Sequence, residues 1–220
     1  VAHELRTPLH ILQGNLEGLQ DGIYQPSPEH IQAMLEETQM LARLVDDLQI
    51  LSLAETGQLP LHFEKVDLIE LIADVSTSFS GPIDAAEIDF QVEIEGSAAD
   101  LTITGDVERL DQVLSNLLGN ALRHTPPGGS ILLKAAATLD AVLILVRDTG
   151  EGISSEDLPY IFDRFWRGDK SRQKLKGAGS GLGLAISRQF VLAHGGRISV
   201  ESQLGVGTAF NITIPKDYRP

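Results

Sequence analysis

The chain opens on VAHELRTPLH, a stretch with three chemically active side chains. His3 carries an imidazole that is nucleophilic when neutral, Glu4 carries a carboxylate, and Thr7 carries a hydroxyl. Residues four apart share a helix face, so His3 and Thr7 are predicted to lie on one face, whereas Glu4 diverges from His3 by about 100°. Pro8 is predicted to bend the helix, because it lacks the N–H that would bond the carbonyl of Glu4.

The same stretch nearly matches the zinc-protease pattern His-Glu-x-x-His. The position of the second His is Thr7, and His10 lies seven residues from His3. Two helical His ligands of one zinc ion must lie one turn apart. A metalloprotease is therefore disfavoured.

A second group of polar side chains lies in NLLGNALRHTPPGG, at the end of a predicted helix. Asn116 and Asn120 share a helix face, and Arg123 and His124 follow one turn later. Amide oxygens can complete the ligand shell of Mg²⁺, whose other ligands are often waters and phosphate oxygens. Taken alone, this pattern favours an ordinary polar helix face.

Two glycine-rich stretches could surround a nucleotide. In VRDTGEGIS, Asp148 ends an apolar strand and could accept a hydrogen bond from the amine of adenine, although Asp-x-Gly is also common in turns. In GAGSGLGLAISRQFV, alternating glycines precede a helix, whose N-terminus favours phosphate. This is not a Walker A loop, since no Gly-Lys-Ser/Thr follows, and it is not a GxGxxG fingerprint, since Leu182 and Leu184 occupy the positions of the last Gly. A hinge would explain the glycines but not their alternation.

Between these stretches, residues 164–176 carry six Lys and Arg against one Asp, in a chain of net charge -14. Such a concentration of positive charge is predicted to form a mobile lid over polyphosphate, with a solvated basic loop as the alternative.

In order and spacing, the motifs resemble the cytoplasmic core of bacterial two-component sensor histidine kinases along the whole chain. The matching motifs are HELRTPL (H box), NLLGNA (N box), DTGEGI (G1 box), YIFDRFWR (F box), GSGLGL (G2 box) and the final glycine motif GVGT. The resemblance implies a dimeric helical hairpin joined to an ATP-binding α/β sandwich of the Bergerat type.

By this resemblance, His3 accepts the γ-phosphoryl group of ATP, Glu4 is its acid–base neighbour, and Thr7 orients water for dephosphorylation of a partner regulator. Asn120 is implied to bind Mg²⁺, and the final acceptor is an Asp of a response-regulator receiver domain. The residues implied to bind the nucleotide are Asn116, Asn120, Arg123, His124, Asp148, Gly150, Gly152, Arg167, Arg172, Gly179, Gly181, Leu182, Gly183 and Thr208.

Two other activities stay open. Related ATPases place a Glu one turn before the Mg-binding Asn to activate water; here that position is Asn116, whose amide cannot act as a base. A degenerate dimerisation scaffold is the third possibility, and the presence of Asn120, Asp148 and Gly181 argues against it.

The elements that must position these groups fall into an α part and an α/β part. Residues 1–57 are predicted to form a helical hairpin, with an apolar seam from Leu5 to Ile23 and a second helix capped by Ser27. Two such helices cannot bury both seams alone, so a homodimeric four-helix bundle is expected, with packing on the second domain as the alternative.

Residues 58–66 are predicted as a linker and residues 67–220 as the α/β domain. Its helices are expected at about 67–79, 106–124 and 181–195. Its strands are expected at IDFQVEI, LTIT, SILLKAA, AVLILVR, RISVES and AFNITI, with mixed or antiparallel pairing because they do not alternate regularly with helices.

The composition of the chain limits the classes of partner and site that we expect. The net charge of -14 disfavours nucleic acid and anionic lipid surfaces, and the absence of Cys excludes disulfides and a thiolate site. No apolar run of 18 residues occurs. We expect a cytoplasmic fragment whose full-length protein is anchored in the bacterial inner membrane through an upstream segment.

Overall fold

A computed structural model describes the backbone of residues 2–23, 25–168 and 180–218, with side chains from Leu5 onwards. Its first part is the predicted hairpin, in which α1 (Ala2–Gln20) packs against α2 (Pro28–Glu55). The hydroxyl of Ser27 accepts the backbone N–H of His30 at 3.3 Å, and Pro28 is the first helical residue. Both features confirm the predicted start of the second helix.

The hairpin buries its apolar residues unevenly. Leu44 and Leu51, in the C-terminal half of α2, are buried in the core formed with the second domain. Leu9 and Leu16 on α1, in contrast, are 52% and 51% exposed. Packing on the second domain therefore buries the apolar residues of only part of α2. An exposed apolar face remains along the rest of the hairpin.

The second part is a mixed sheet covered by helices. The remaining elements are β1 (Glu64–Asp67), α3 (Leu68–Ala85), β2 (Asp89–Glu95), β3 (Thr102–Gly105), α4 (Val107–His124), β4 (Ser130–Ala137), β5 (Ala141–Asp148), a 3-10 turn (Leu158–Tyr160), α5 (Gly183–Ala193), β6 (Arg197–Gln203) and β7 (Gly207–Pro215). The five-stranded sheet has the order β2-β4-β5-β7-β6, with a parallel β2–β4 pair and three antiparallel pairs. The prediction of mixed pairing is confirmed.

One face of the sheet forms the core. Along β5, Val142, Ile144 and Val146 are buried while Leu143 and Arg147 are exposed, which is the alternation that a half-buried strand requires. The α4 helix packs against β5 and lies between α3 and α5. Its apolar face contributes Leu110, Val113, Leu114, Leu117, Leu118 and Ala121 to the core.

The structure differs from the sequence-based boundaries in two places. Residues 64–66, within the predicted linker, belong to β1, which pairs antiparallel with β3. The α3 helix continues to Ala85 instead of ending near 79, although Pro82 lies inside it. Ile83 is completely buried, so tertiary packing holds the last turn that local propensity disfavours.

None of the helices in the described ranges is both long enough and apolar enough to cross a membrane.

Candidate nucleotide-binding site

A cavity of about 630 Å³ lies between α4, the turn after β5 and the start of α5. This volume is in the range of small-molecule and cofactor sites. Ten of the sequence-predicted nucleotide residues line it: Asn116, Asn120, Arg123, His124, Asp148, Gly152, Arg167, Gly181, Gly183 and Thr208.

Asp148 lies at the end of β5 and is only 7% exposed. Its Oδ1 accepts hydrogen bonds from the backbone N–H groups of Gly150 at 2.8 Å and Thr208 at 3.3 Å. Burial raises the pKa of the Asp148 carboxyl, opposed by these two hydrogen bonds and by the nearby His124. The result is a carboxylate held in a fixed orientation in the cavity wall.

The turn after Asp148 is wedged between two backbone segments. A Cβ at Gly150 would lie 2.4 Å from the carbonyl oxygen of His124, and one at Gly152 would lie 2.1 Å from that of Gln203. Gly152 also has a φ of +70°, which side chains rarely allow. Close approach therefore requires both glycines, although Gly150 is buried and is not among the lining residues.

Helix α4 presents the two asparagines in different ways. Asn116 Nδ2 donates to the carbonyl of Gly183 at 3.2 Å and to the hydroxyl of Ser187 at 3.3 Å, so it ties α4 to the start of α5. Asn120 Oδ1 accepts a hydrogen bond from Arg123 at 3.4 Å. Sequence spacing indicated a shared face but not the packing role of Asn116.

Asn120 also fits a magnesium ion. Its amide oxygen is a hard, neutral ligand in the cavity wall, of the kind that Mg²⁺ accepts beside waters and phosphate oxygens. Among the described residues, no group of three or more His, Cys, Asp or Glu side chains could hold a metal by itself. The ion would therefore depend on the bound phosphates for most of its shell.

His124 and Glu151 form the rim of the cavity. His124 Nδ1 lies 2.8 Å from Glu151 Oε1, and both side chains are partly exposed. Glu151 is braced by its backbone as well, since its N–H donates to the carbonyl of His124 and its carbonyl accepts from Gly205. Glu151 was not among the predicted site residues.

The start of α5 provides the opposite end of the cavity. Gly181 and Gly183 line it, while the side chain of Leu182 is completely buried in the core. Leu182 was predicted to bind the nucleotide, but it is absent from the cavity lining. It anchors the start of α5 in the core instead. The carbonyl of Gly181 accepts the N–H of Phe165 at 2.9 Å, which joins the segments on either side of residues 169–179.

Several predicted site residues cannot be placed against the cavity. Arg172 and Gly179 lie outside the described residues, as do the side chains of His3 and Glu4. Thr7 is exposed on α1 and is not among the lining residues.

One unpredicted lining residue comes from the hairpin. Asp47 of α2 lies in the cavity wall, where its Oδ2 accepts a hydrogen bond from the Ser180 hydroxyl at 3.4 Å. The two residues are 133 positions apart. No local motif could have indicated this contact, because it depends on how α2 packs on the second domain.

Sequence comparison identifies the family to which both parts of the chain belong. Residues 105–218 match the family of histidine kinase-, DNA gyrase B- and HSP90-like ATPases. Residues 1–57 match the His Kinase A (phospho-acceptor) domain. The chain belongs to the histidine kinase family.

Individual relatives support this assignment. The signal transduction histidine-protein kinase BaeS of Escherichia coli K12 is 37% identical over 98% of this chain, and the chain spans 45% of the length of BaeS. The structure of the Acinetobacter baumannii histidine kinase AdeS has a TM-score of 0.81 at 30% identity, covering 97% of this chain and 98% of that one. Histidine kinase ThkA, solved in complex with the response regulator TrrA, has a TM-score of 0.73 at 30% identity, covering 98% of this chain and 60% of that one.

Proposed function

We propose that this chain is the core of an ATP-dependent protein-histidine kinase that phosphorylates His3 and passes the phosphoryl group to an Asp of a response-regulator receiver domain. The observation that carries the proposal is the placement of Asp148, Asn120 and the glycines before α5 around one cavity. The α2 helix of a phosphoacceptor-type hairpin forms part of the same wall.

In this proposal adenine binds at Asp148, whose fixed carboxylate accepts a hydrogen bond from the exocyclic amine. The backbone N–H of Thr208 keeps the carboxylate oriented. The phosphates lie towards Gly181 and Gly183, where the first N–H groups of α5 lack intrahelical partners. Arg123, His124 and Arg167 add positive and polar groups to the lining of the cavity.

We assign Mg²⁺ to Asn120, whose amide oxygen would hold the ion. A bound ion would neutralise part of the phosphate charge. Asn116, by holding Gly183 and Ser187, fixes the distance between α4 and the phosphate end of the cavity.

The phosphoryl transfer is a substitution at phosphorus. The neutral imidazole of His3 attacks the γ-phosphorus in line, an N–P bond forms, and the P–O bond to ADP breaks. Glu4, adjacent in sequence, takes the imidazole proton as general base. The resulting phosphoramidate is the donor for the receiver-domain Asp.

Further roles belong to the same proposal. The complex of ThkA with its response regulator supports a receiver domain as the partner of this chain. Thr7, one turn from His3, orients water for dephosphorylation of that partner. We also propose that residues 1–57 dimerise and that the full-length protein is anchored in the inner membrane. Because β1 belongs to the sheet structure of the second domain, we propose that the predicted linker of residues 58–66 is shortened to residues 58–63 and that the ATP-binding domain begins at Glu64.

A first experiment tests the reaction. The chain is incubated with γ-labelled Mg-ATP, and the protein-bound label is tested in acid and alkali. We expect label that is lost in acid and stable in alkali, as for phosphohistidine. Free phosphate without labelled protein would favour the ATPase alternative, and neither product would favour a degenerate scaffold.

Variants then locate the label. His3→Gln should abolish the label while ATP affinity stays nearly unchanged, and His10→Gln, on the same helix, should keep the label. Persistence of acid-labile label on the His3 variant would move the acceptor elsewhere. Thr7→Ala should slow dephosphorylation of the partner regulator and spare autophosphorylation; an unchanged dephosphorylation rate would contradict the role of Thr7.

A further inference from the structure

The hairpin contributes a negative charge to the nucleotide cavity. Asp47 of α2 is half-buried, lines the cavity and contacts Ser180, the residue directly before Gly181. Gly181 and Gly183 form the end of the cavity that we assign to the phosphates. A carboxylate there is unexpected, because like charges at close range repel and the effect strengthens away from bulk water.

Contacts along α2 hold Asp47 in this position. Ser180, directly before the glycines of α5, donates its hydroxyl to Asp47 Oδ2 at 3.4 Å. One turn further along α2, the carbonyl of Leu51 accepts a hydrogen bond from Arg164 at 3.4 Å, and one turn beyond that Glu55 forms an ion pair with the same Arg164. These contacts come from both sides of residues 169–179, so α2 is clamped at two points, of which the Asp47–Ser180 contact lies in the cavity wall.

Apolar packing reinforces the clamp. Leu44 and Leu51 lie about one turn before and after Asp47 on the same helix and are 5% and 1% exposed. The packing of these two leucines holds this part of the α2 backbone, which carries Asp47, against the second domain. Removal of the Asp47 position from the cavity wall requires α2 to move away from α5.

We propose that Asp47 makes the pocket discriminate between adenine nucleotides by their phosphate charge, so that docking of α2 on α5 opposes the binding of ATP more than that of ADP. This inference rests on the proposed function, since it takes the Gly181–Gly183 end as the phosphate site. Repulsion grows with each added phosphate, whereas adenosine meets none.

The consequence is a coupling between nucleotide and hairpin. A ligand that binds less well to the docked arrangement shifts the population towards an undocked one by its difference in affinity. ATP therefore favours release of α2 from the cavity wall. This release leaves the side of the cavity at Ser180 open to other parts of the hairpin. ADP, with less charge, opposes docking less.

The test is calorimetric titration of the whole chain with adenosine, ADP and ATP, each with and without Mg²⁺. Asp47→Asn keeps the size of the side chain and an oxygen that can accept the Ser180 hydroxyl, but removes the charge. We expect it to tighten ATP binding about three- to tenfold, ADP binding less, and adenosine binding not at all, with larger effects without Mg²⁺. Asp46→Asn removes the same charge from the neighbouring, exposed position and should leave all three affinities unchanged.

Three results would overturn the inference: equal effects on all three ligands, no effect, or weaker ATP binding, which would make Asp47 a ligand of the phosphate-bound ion. Failure of the unaltered chain to bind any adenine compound would instead overturn the proposed function.

A second variant separates charge from docking. Glu55→Gln removes the ion pair with Arg164 and is expected to tighten ATP binding in the same direction as Asp47→Asn. Loss of the ion pair weakens the docking of α2, and the charge of Asp47 opposes ATP only while α2 is docked. The double variant should therefore tighten ATP binding by less than the sum of the two single effects. Strict additivity would show that Asp47 acts without the clamp and would overturn the coupling.

Discussion

The Nε2 atom of His194 accepts a hydrogen bond from the backbone N–H of Asp106 at 2.9 Å. The other ring nitrogen donates to the carbonyl of Phe190 at 2.7 Å, and the residue is completely buried. A single neutral tautomer, with its proton on Nδ1, satisfies both partners. His194 thereby joins the end of α5 to the residue that caps α4, the two helices that enclose the nucleotide cavity.

This arrangement predicts a loss of stability in mild acid. Burial lowers the pKa of His194 in the folded chain below the value of about 6.5 of an unfolded His. Above about pH 6.5 the ring is neutral in both states and its contribution is complete; as the pH falls, the unfolded chain takes up a proton that the folded chain resists. The free energy of unfolding should therefore decrease as the pH falls towards the folded-state pKa.

Urea unfolding at about pH 7.5 and about pH 5.5 measures the effect. His194→Gln removes the titrating group, so its unfolding free energy should fall less between the two pH values than that of the unaltered chain. Equal falls in both proteins would show that His194 does not cause the acid sensitivity.

Asp148→Asn should separate binding from stability. The amide oxygen can still accept the N–H groups of Gly150 and Thr208, while the charge that burial disfavours is removed. Because the pKa of Asp148 is raised in the folded chain, the charged form costs stability at neutral pH, and the variant should unfold at a higher temperature. ATP binding should weaken by about ten- to a hundredfold, since an amide nitrogen would face the adenine amine. A variant that loses both binding and thermal stability would contradict this account of the carboxylate.

Much of the α/β domain could be predicted because its signals are local. The apolar run AVLILV in β5 and the Asp before α4 each lie within or next to one element, and they mark the strand and the helix start. The end of α3 could not be predicted this way. Pro82 argues locally for termination, and only the burial of Ile83 against other elements explains the continued helix.

The cavity shows the same division. Asn120, Asp148 and the glycines could be identified because their types and spacing form motifs. The hydrogen bonds of Asn116 to α5 and the presence of Asp47 in the wall could not, because both depend on contacts between elements distant in sequence. Spacing therefore identifies candidate side chains, whereas packing decides which neighbour each one contacts.

Gly152→Ala is expected to damage the cavity through the backbone. Its Cβ would lie 2.1 Å from the carbonyl oxygen of Gln203 at a φ of +70°, so the turn after β5 must move away from β6. We expect a loss of about 1–3 kcal/mol in the free energy of unfolding together with weaker ATP binding. Gly14→Ala is the matched control, since Gly14 lies within α1 with no atom within 4 Å of the added Cβ. This control should leave ATP binding unchanged. A Gly152→Ala variant that is as stable as the unaltered chain and binds ATP equally well would contradict the close approach of Gly152 to Gln203.

The exposed apolar face of the hairpin predicts self-association. Leu16 is 51% exposed on α1, and burial of one Leu contributes about 1.5–3 kcal/mol. In a symmetric dimer each subunit contributes a copy, so Leu16→Glu would place two carboxylates in the interface and should shift the chain to monomer, with ATP binding retained. Leu139→Glu, at a 90% exposed position in the second domain, should leave the dimer intact. Sedimentation equilibrium at micromolar concentration measures both variants. A monomeric unaltered chain, or a Leu16 variant that stays dimeric, would show that this face of α1 does not form the interface.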